Sequence, residues 1–160
     1  MAGFEHHDLQ GEIIDLGTGT GRLAIGAAMM GSTRVVGVDI DAKSIALARE
    51  NGIAAGVQVK WVVSDIKEVV GGYDTVIMNP PYGTRSPHLD VQFLERAFEL
   101  APVLYSIHKS STRDFLRRAI ERRNRRVDAV RSMSLEIPHL FPFHQKKWEN
   151  VEVDLYRILS

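Results

Sequence analysis

The chain has 160 residues, 20 basic and 20 acidic side chains, and a globular balance of 44% apolar to 25% charged residues, which suits one domain with a core of ordinary size. It has no cysteine, which excludes a disulfide framework and a thiolate metal site; no apolar run approaches 18 residues and no secretory-leader pattern is found, so a cytoplasmic enzyme is expected. The neutral total hides an asymmetry: residues 1–100 carry 8 basic against 13 acidic side chains, and residues 101–160 carry 12 against 7.

The pattern opens with a short strand, Glu12 to Leu16, followed by a small, apolar helix over Gly21 to Met30. A second strand spans Arg34 to Val38, and Asp41 is placed to cap a helix over Ala42 to Asn51 that ends at Gly52. Val57 to Val63 reads as a third strand and Tyr73 to Met78 as a fourth. After the Pro80-Pro81 turn, Gly83 to Leu89 reads as a loop and Asp90 to Leu100 as a helix with Val91, Leu94, Ala97 and Phe98 on one face. A fifth strand, Val103 to His108, leads to Ser111 or Thr112, either of which would cap a helix reaching about Asn124. Two longer strands close the pattern, Val127 to Ile137 and Val151 to Leu159, joined by a short loop and therefore antiparallel. In the last one Val151, Val153, Leu155 and Arg157 alternate with Glu152, Asp154 and Tyr156. Strands alternating with helices predict an α/β fold: a Rossmann-like, doubly wound, seven-stranded, mostly parallel sheet with an antiparallel last strand, residues 1–160 forming a single domain.

Asp15-Leu16-Gly17-Thr18-Gly19-Thr20-Gly21 follows the first strand and opens the first helix. Glycines there let backbone approach a ligand and leave helix N–H groups available. The spacing is G-x-G-x-G rather than G-x-G-x-x-G, and an acid precedes it. Asp15 would repel a pyrophosphate but suits a ligand bearing an ammonium group, such as the amino-acid tail of S-adenosylmethionine. Asp39 ends the second strand, where a carboxylate accepts from both hydroxyls of a ribose. Ile40 is placed against an adenine face, and Asp65, within Val63-Ser64-Asp65-Ile66 after the third strand, against its amino group. Each acid alone has a plainer reading as a helix cap or turn residue; three strand-end acids together with the glycine loop point to the cofactor.

Asn79-Pro80-Pro81-Tyr82 follows the fourth strand. Two prolines cannot continue a ladder, so Asn79 is left at the carboxyl end of a sheet, where open α/β folds place their ligands. The amine of adenine, cytosine or glutamine is a poor nucleophile because its lone pair is delocalised. The Asn79 side-chain oxygen and the Pro80 carbonyl would accept its two N–H bonds and stabilise charge developing on nitrogen, while Tyr82 would stack on the base. A plain polyproline turn is the alternative reading of the same four residues.

This combination is identified with the class I methyltransferases of the amino-methylating N-P-P-Y/F type. With Tyr105-Ser106-Ile107-His108-Lys109-Ser110-Ser111-Thr112-Arg113, Phe143-His144-Gln145-Lys146-Lys147 and Val151-Glu152-Val153-Asp154-Leu155-Tyr156-Arg157, residues 11 to 159 resemble the methyltransferase-like protein 5 family. That resemblance implies methylation of N6 of an adenosine in small-subunit ribosomal RNA. The catalytic set is then Asn79, Pro80, Pro81 and Tyr82, with S-adenosylmethionine held by Asp15, Gly17, Thr18, Gly19, Gly21, Asp39, Ile40, Ser64, Asp65, Ile66 and Asn79. RNA would be met by Tyr82, Arg85, His108, Lys109, Ser110, Lys146 and Lys147, with His88 beside Arg85; a capping role is the plainer reading of the His108 segment. The resemblance also implies a small zinc-binding activator pairing with the edge strand Val57 to Val63.

The family carries a segment like L-E-Q-Y-x-T before its first strand, which helps close the cofactor site. Met1 to His7 does not match it, so a chain shortened at its start, with weakened cofactor affinity, is expected. His6 and His7 lack a third ligand and read as an exposed pair, so no metal site is expected. Two rival functions stand beside the leading one: the same chemistry on DNA adenine or protein glutamine, and an inactive module that binds RNA or a partner.

Overall fold

A computed structural model of the chain describes residues 7–81, 89–138 and 148–160. Seven strands form one sheet: β1 (Glu12–Leu16), β2 (Arg34–Asp39), β3 (Lys60–Val63), β4 (Thr75–Met78), β5 (Val103–Lys109), β6 (Arg126–Pro138) and β7 (Trp148–Leu159). The spatial order is β3-β2-β1-β4-β5-β7-β6. All pairings from β3 through β5 are parallel, and β7 runs antiparallel to both β5 and β6. Four helices cover the sheet: α1 (Arg22–Met29), α2 (Ala42–Ala54), α3 (Leu89–Leu100) and α4 (Arg113–Glu121).

The central strands β1 and β4 are buried on both faces, as parallel strands flanked by crossover helices must be. Successive residues of β1 show it: Ile13 joins Ala24, Ala27, Val35 and Ile77 on the face covered by α1. Ile14 joins Leu94, Leu104, Leu116 and Ile120 on the face covered by α3 and α4. Each such isoleucine contributes about 1.5–3 kcal/mol relative to an exposed one. The chain winds outward from β1 to β3, then returns to β4 on β1's other side. The switch point therefore lies between β1 and β4, where Leu16 is in register with Met78.

Several boundaries differ from the sequence expectation. Helix α2 passes through Gly52, which lies beside the Trp61 ring, where a Cβ would be in ordinary contact with it at 3.4 Å; the glycine does not end the helix. The stop comes at Gly56, with φ +68, where Val57 N–H donates to Gly52 O at 3.1 Å and Gly56 N–H to Ile53 O at 3.0 Å. Strands β3 and β4 are shorter than expected, and α4 is led by a 3-10 turn over Ser110–Thr112. Neither hydroxyl caps α4 as expected; Thr112 Oγ1 donates back to Lys109 O at 2.8 Å. The expected loop at 83–89 lies outside the described residues except for Leu89, which starts α3.

The two ends of the described fold are tied together. Asp8 accepts from the Tyr105 hydroxyl at 2.6 Å and from Arg157 Nε at 2.9 Å, and Arg157 Nη1 reaches Asp128 at 2.6 Å. Burial, aided by Asp8, pushes the Tyr105 hydroxyl above the ordinary tyrosine range.

Candidate active site

The glycine loop leaves β1 and reaches α1 through three residues in the left-handed region: Gly17 (φ +69), Gly19 (φ +54) and Gly21 (φ +86). L side chains resist that conformation. A Cβ at Gly17 would stand 2.8 Å from the Phe93 ring of α3, and one at Gly21 would stand 2.7 Å from Trp61. The loop is fixed by Thr18 N–H donating to Val38 O at 2.9 Å and Gly19 N–H donating to Asp39 Oδ2 at 2.8 Å.

Asp15 lies under this loop with 1% of its surface exposed. Its Oδ2 accepts from Thr18 Oγ1 at 2.6 Å and from Ala24 N–H at 3.0 Å. Its Oδ1 has no hydrogen-bond partner among the described residues. Burial pushes the carboxyl up to about 7, and the charge of Asp39 adds to the rise, against the Thr18 and Ala24 bonds. A buried carboxyl oxygen without a donor is costly. A ligand's ammonium group would both satisfy Oδ1 and favour the carboxylate, so the residues present fit the expected cofactor's amino-acid end.

Asp39 closes the next strand, its Oδ1 accepting from Asp41 N–H at 3.0 Å. Ile40 beside it is 70% exposed, a side chain open to an aromatic face. Ser64 N–H donates to Asp39 O at 2.9 Å, and Asp65 Oδ1 accepts from Lys67 N–H at 2.9 Å, capping a 3-10 turn over Ile66–Glu68. The structure thus lines up the glycine loop, Asp39, Ile40, Ser64 and Asp65 along adjoining strand ends. Ile66 differs: its side chain is buried in the α3–α4 core, which leaves its backbone as the part able to meet a cofactor.

Asn79 follows Met78 at the end of β4, exposed, and Pro80 is buried behind it. Met78 is in register with Leu16, two residues before Thr18, and with Ser106 of β5. The amide therefore sits at the same end of the sheet as the glycine loop, across the switch point. Tyr82, Arg85, His88, Lys146 and Lys147 lie outside the described residues.

The segment after β5 is organised differently from the expectation. His108 is 3% exposed; its Nε2 is hydrogen-bonded to Ser106 Oγ at 2.6 Å and its ring meets Tyr156 edge-on at 6.0 Å. A ring this buried offers RNA little surface. Ser110 donates to Asp154 Oδ1 at 2.9 Å, turning its hydroxyl inward. Lys109 alone of the three is exposed.

The centre of this region, Asp154, was not singled out from sequence. It is fully buried and accepts from Arg113, Ser110, Ser132 Oγ at 2.8 Å and Tyr156 at 3.3 Å. The Arg113 bond, ahead of Ser132 and Ser110, holds its carboxyl well below the usual range despite burial. Alternation alone put Asp154 and Tyr156 on a polar face, but theirs is the face of β7 that joins the core beneath α4, where Tyr156 packs with Leu116 and Ile120. The available signal was an acid inside a strand in a chain whose preceding turn offers Ser110 and Arg113 as donors.

The family model for the methyltransferase small domain matches residues 2–104. The rRNA N(6)-adenosine-methyltransferase Mettl5 of Drosophila melanogaster is 33% identical over 162 residues, covering 96% of this chain and 76% of that protein. The METTL5 protein of Danio rerio with the same description is 34% identical over 158 residues, covering 94% and 76%. The crystal structure of a Pyrococcus horikoshii protein described as a candidate RNA methyltransferase superposes with a TM-score of 0.85 at 36% identity, covering 96% of this chain and 76% of that one.

Proposed function

The chain belongs to the methyltransferase small domain family, and on that premise we propose that it transfers a methyl group from S-adenosylmethionine to N6 of an adenosine in ribosomal RNA, as the names of its METTL5 relatives suggest, and that the RNA is that of the small subunit. The observation that carries the reading is the pairing, across one switch point, of the unpartnered Asp15 Oδ1 with the amide of Asn79.

S-adenosylmethionine supplies a methyl group already activated by its sulfonium. The chain's own residues hold and orient the reactants. Asp15 Oδ1 takes the ammonium group, Asp39 the ribose hydroxyls, and Ile40 and Asp65 the adenine ring. Asn79 Oδ1 and the Pro80 carbonyl accept the two N–H bonds of the target amine, which turns the nitrogen lone pair toward the donor and stabilises the positive charge that develops on it. An amine held in this way would be able to accept the methyl group, and the proton it then sheds would leave to solvent. Tyr82 stacks on the target base, which must be unpaired or flipped out to reach this depth.

RNA is the polymer substrate in this reading, met by Lys109 and, from outside the described residues, by Arg85, Lys146 and Lys147. A small zinc-binding activator pairing along the β3 edge is part of the same proposal, supported by the edge position of β3. The Trp61 ring does not serve that contact, since it packs onto Gly21, Gly37 and Gly52. A single domain and a cytoplasmic location complete the reading; no helix among the described residues is long and apolar enough to cross a membrane.

The test is radiolabelled methyl transfer to small-subunit ribosomal RNA from a strain lacking the enzyme, followed by nucleoside analysis. Label in N6-methyladenosine is expected. Label in protein or in cytidine, or cofactor binding without transfer, would overturn the reading.

A further inference from the structure

The segment from Arg113 to Arg126 carries seven arginines, and the structure sorts them into two groups. Arg113 is committed to Asp154. Arg123 is committed to Glu95 and the Ala119 carbonyl. Arg125 lies 5.1 Å over the Phe98 ring and donates to the Phe98 carbonyl, and Arg126 pairs with Asp128 at 3.2 Å. Those four guanidinium groups hold the fold together.

Arg117, Arg118 and Arg122 are exposed, and none forms an ion pair with a described residue. Helix α4 buries Leu116, Ala119 and Ile120, which turns these three outward. The helix's own acids do not neutralise them. Asp114 stands four residues before Arg118, the favourable order for a helical ion pair, yet Arg118 Nε donates to the Asp114 carbonyl. Glu121 follows Arg117 by four, the less favourable order, and forms no pair with it.

A second observation lies on the same stripe. Phe115, Arg118 and Arg122 recur at i, i+3 and i+7, so they share one face of the helix, and the Phe115 ring is 48% exposed. An aromatic ring interleaved with unneutralised arginines suits single-stranded or looped RNA: guanidinium groups take phosphates and the ring takes an unpaired base. The placement is also suitable. Helix α4 starts directly after the turn that follows β5, and β5 adjoins β4, whose end carries Asn79. An RNA whose target base reaches Asn79 can continue down the outside of α4, a path of about 14 Å.

We propose that Phe115, Arg117, Arg118 and Arg122 form an RNA-docking track outside the methylated nucleotide. The track rests on the reading of ribosomal RNA as substrate and adds where that RNA is gripped beyond the base pocket.

The experiment measures affinity of the full chain for a transcribed small-subunit ribosomal RNA fragment across a salt series, beside methyl transfer to the same fragment. The triple variant Arg117→Gln, Arg118→Gln, Arg122→Gln is expected to bind about tenfold or more weakly near physiological salt, with the slope of log K against log salt reduced by about 2 to 3, roughly 0.7–0.9 for each phosphate no longer neutralised. The turnover number at saturating RNA should be unchanged. Arg122→Gln alone should reduce the slope by about 1, which keeps the test intact should the triple variant lose its fold. Phe115→Ala should weaken binding at every salt concentration without changing the slope. Unchanged affinity and slope in both arginine variants, with wild-type protein methylating the fragment, would overturn the track alone. Binding that depends on these arginines but transfers no methyl group to adenosine would overturn the catalytic reading and leave the track standing.

Discussion

Arg113 grips Asp154 with two parallel bonds, Nε to Oδ2 and Nη2 to Oδ1, both 2.7 Å long and spanning 41 residues of chain. Paired geometry of this kind is the strong form of the guanidinium–carboxylate contact. It joins the start of α4 to the middle of β7, and Ser110 and Ser132 bring the β5 turn and β6 onto the same carboxylate. Four elements beside the end of β4 thus share one buried charge.

Replacing Arg113 with Met leaves that charge buried without its cation. A lower melting temperature than wild type is expected at pH 7. The sign with pH follows from the depressed carboxyl. Its stabilisation is full above the ordinary value of 3.8 and is lost as pH falls through the lower folded value. The gap between wild type and variant should hold from pH 7 to 5 and narrow below about 4. A variant as stable as wild type at pH 7, measured by thermal melts, would refute the hub.

Asp15 gives the opposite dependence. Its carboxyl is raised to about 7, so the ligand-free fold favours the protonated form, and its stability falls as pH rises from the ordinary 3.8 toward 7. A bound ammonium group draws out the proton. Affinity for S-adenosylmethionine should therefore strengthen by up to tenfold per pH unit between about 5.5 and 7 and level off above. Titration calorimetry should detect proton release below pH 7, and Asp15→Asn should abolish the slope. A wild-type affinity independent of pH would refute the assignment.

Asn79→Ala removes an acceptor that no alanine supplies. Turnover should fall by about 10²–10³, while the dissociation constant for S-adenosylmethionine changes by only about threefold or less, because the glycine loop and strand-end acids remain. Nucleoside analysis after single-turnover reactions reads the first quantity and calorimetry the second. Undiminished turnover would end the proposed mechanism.

Two glycines five residues apart should respond in opposite senses. Gly26 lies inside α1, and a Cβ there would have nothing within 4 Å, so Gly26→Ala should stabilise the fold by about 0.4–1 kcal/mol. Gly21 has φ +86, and a Cβ there would strike Trp61, so Gly21→Ala should cost about 1–2 kcal/mol from the backbone alone and weaken cofactor binding as well. Urea denaturation of both variants distinguishes the two outcomes.

The order of elements was legible in the sequence because apolar runs bounded by Gly, Pro and Asp mark parallel strands plainly. The glycine loop, Asp15, Asp39 and Asn79 were legible for a related reason: each stands at or next to a strand end, where polar side chains and glycines break an apolar run. What stayed hidden depended on neighbours far away in the chain. Gly52 resembled a helix stop until Trp61 occupied the space beside it, and His108 resembled a surface contact until Tyr156 closed over it. Asp154 looked solvated because alternation does not say which face of a strand is the wet one, and in β7 the face of Asp154, Tyr156 and Ile158 turns to the core.

The position of β7 also sets an order of assembly. It follows β6 in the chain but lies between β6 and β5 in the sheet, so β6 has no route into the sheet except through β7. Pairing β6 with β7 also closes a far smaller loop than pairing β7 with β5, so the two strands are expected to pair first and dock as a hairpin. Until they do, the edge of β5 stands open, and Asp154 is still apart from the arginine and serines that await it. An unpaired edge of this kind invites pairing between copies of the chain. The refolding protein should be most prone to aggregate before the hairpin docks, and the joining of Arg113 to Asp154 marks the moment that hazard ends.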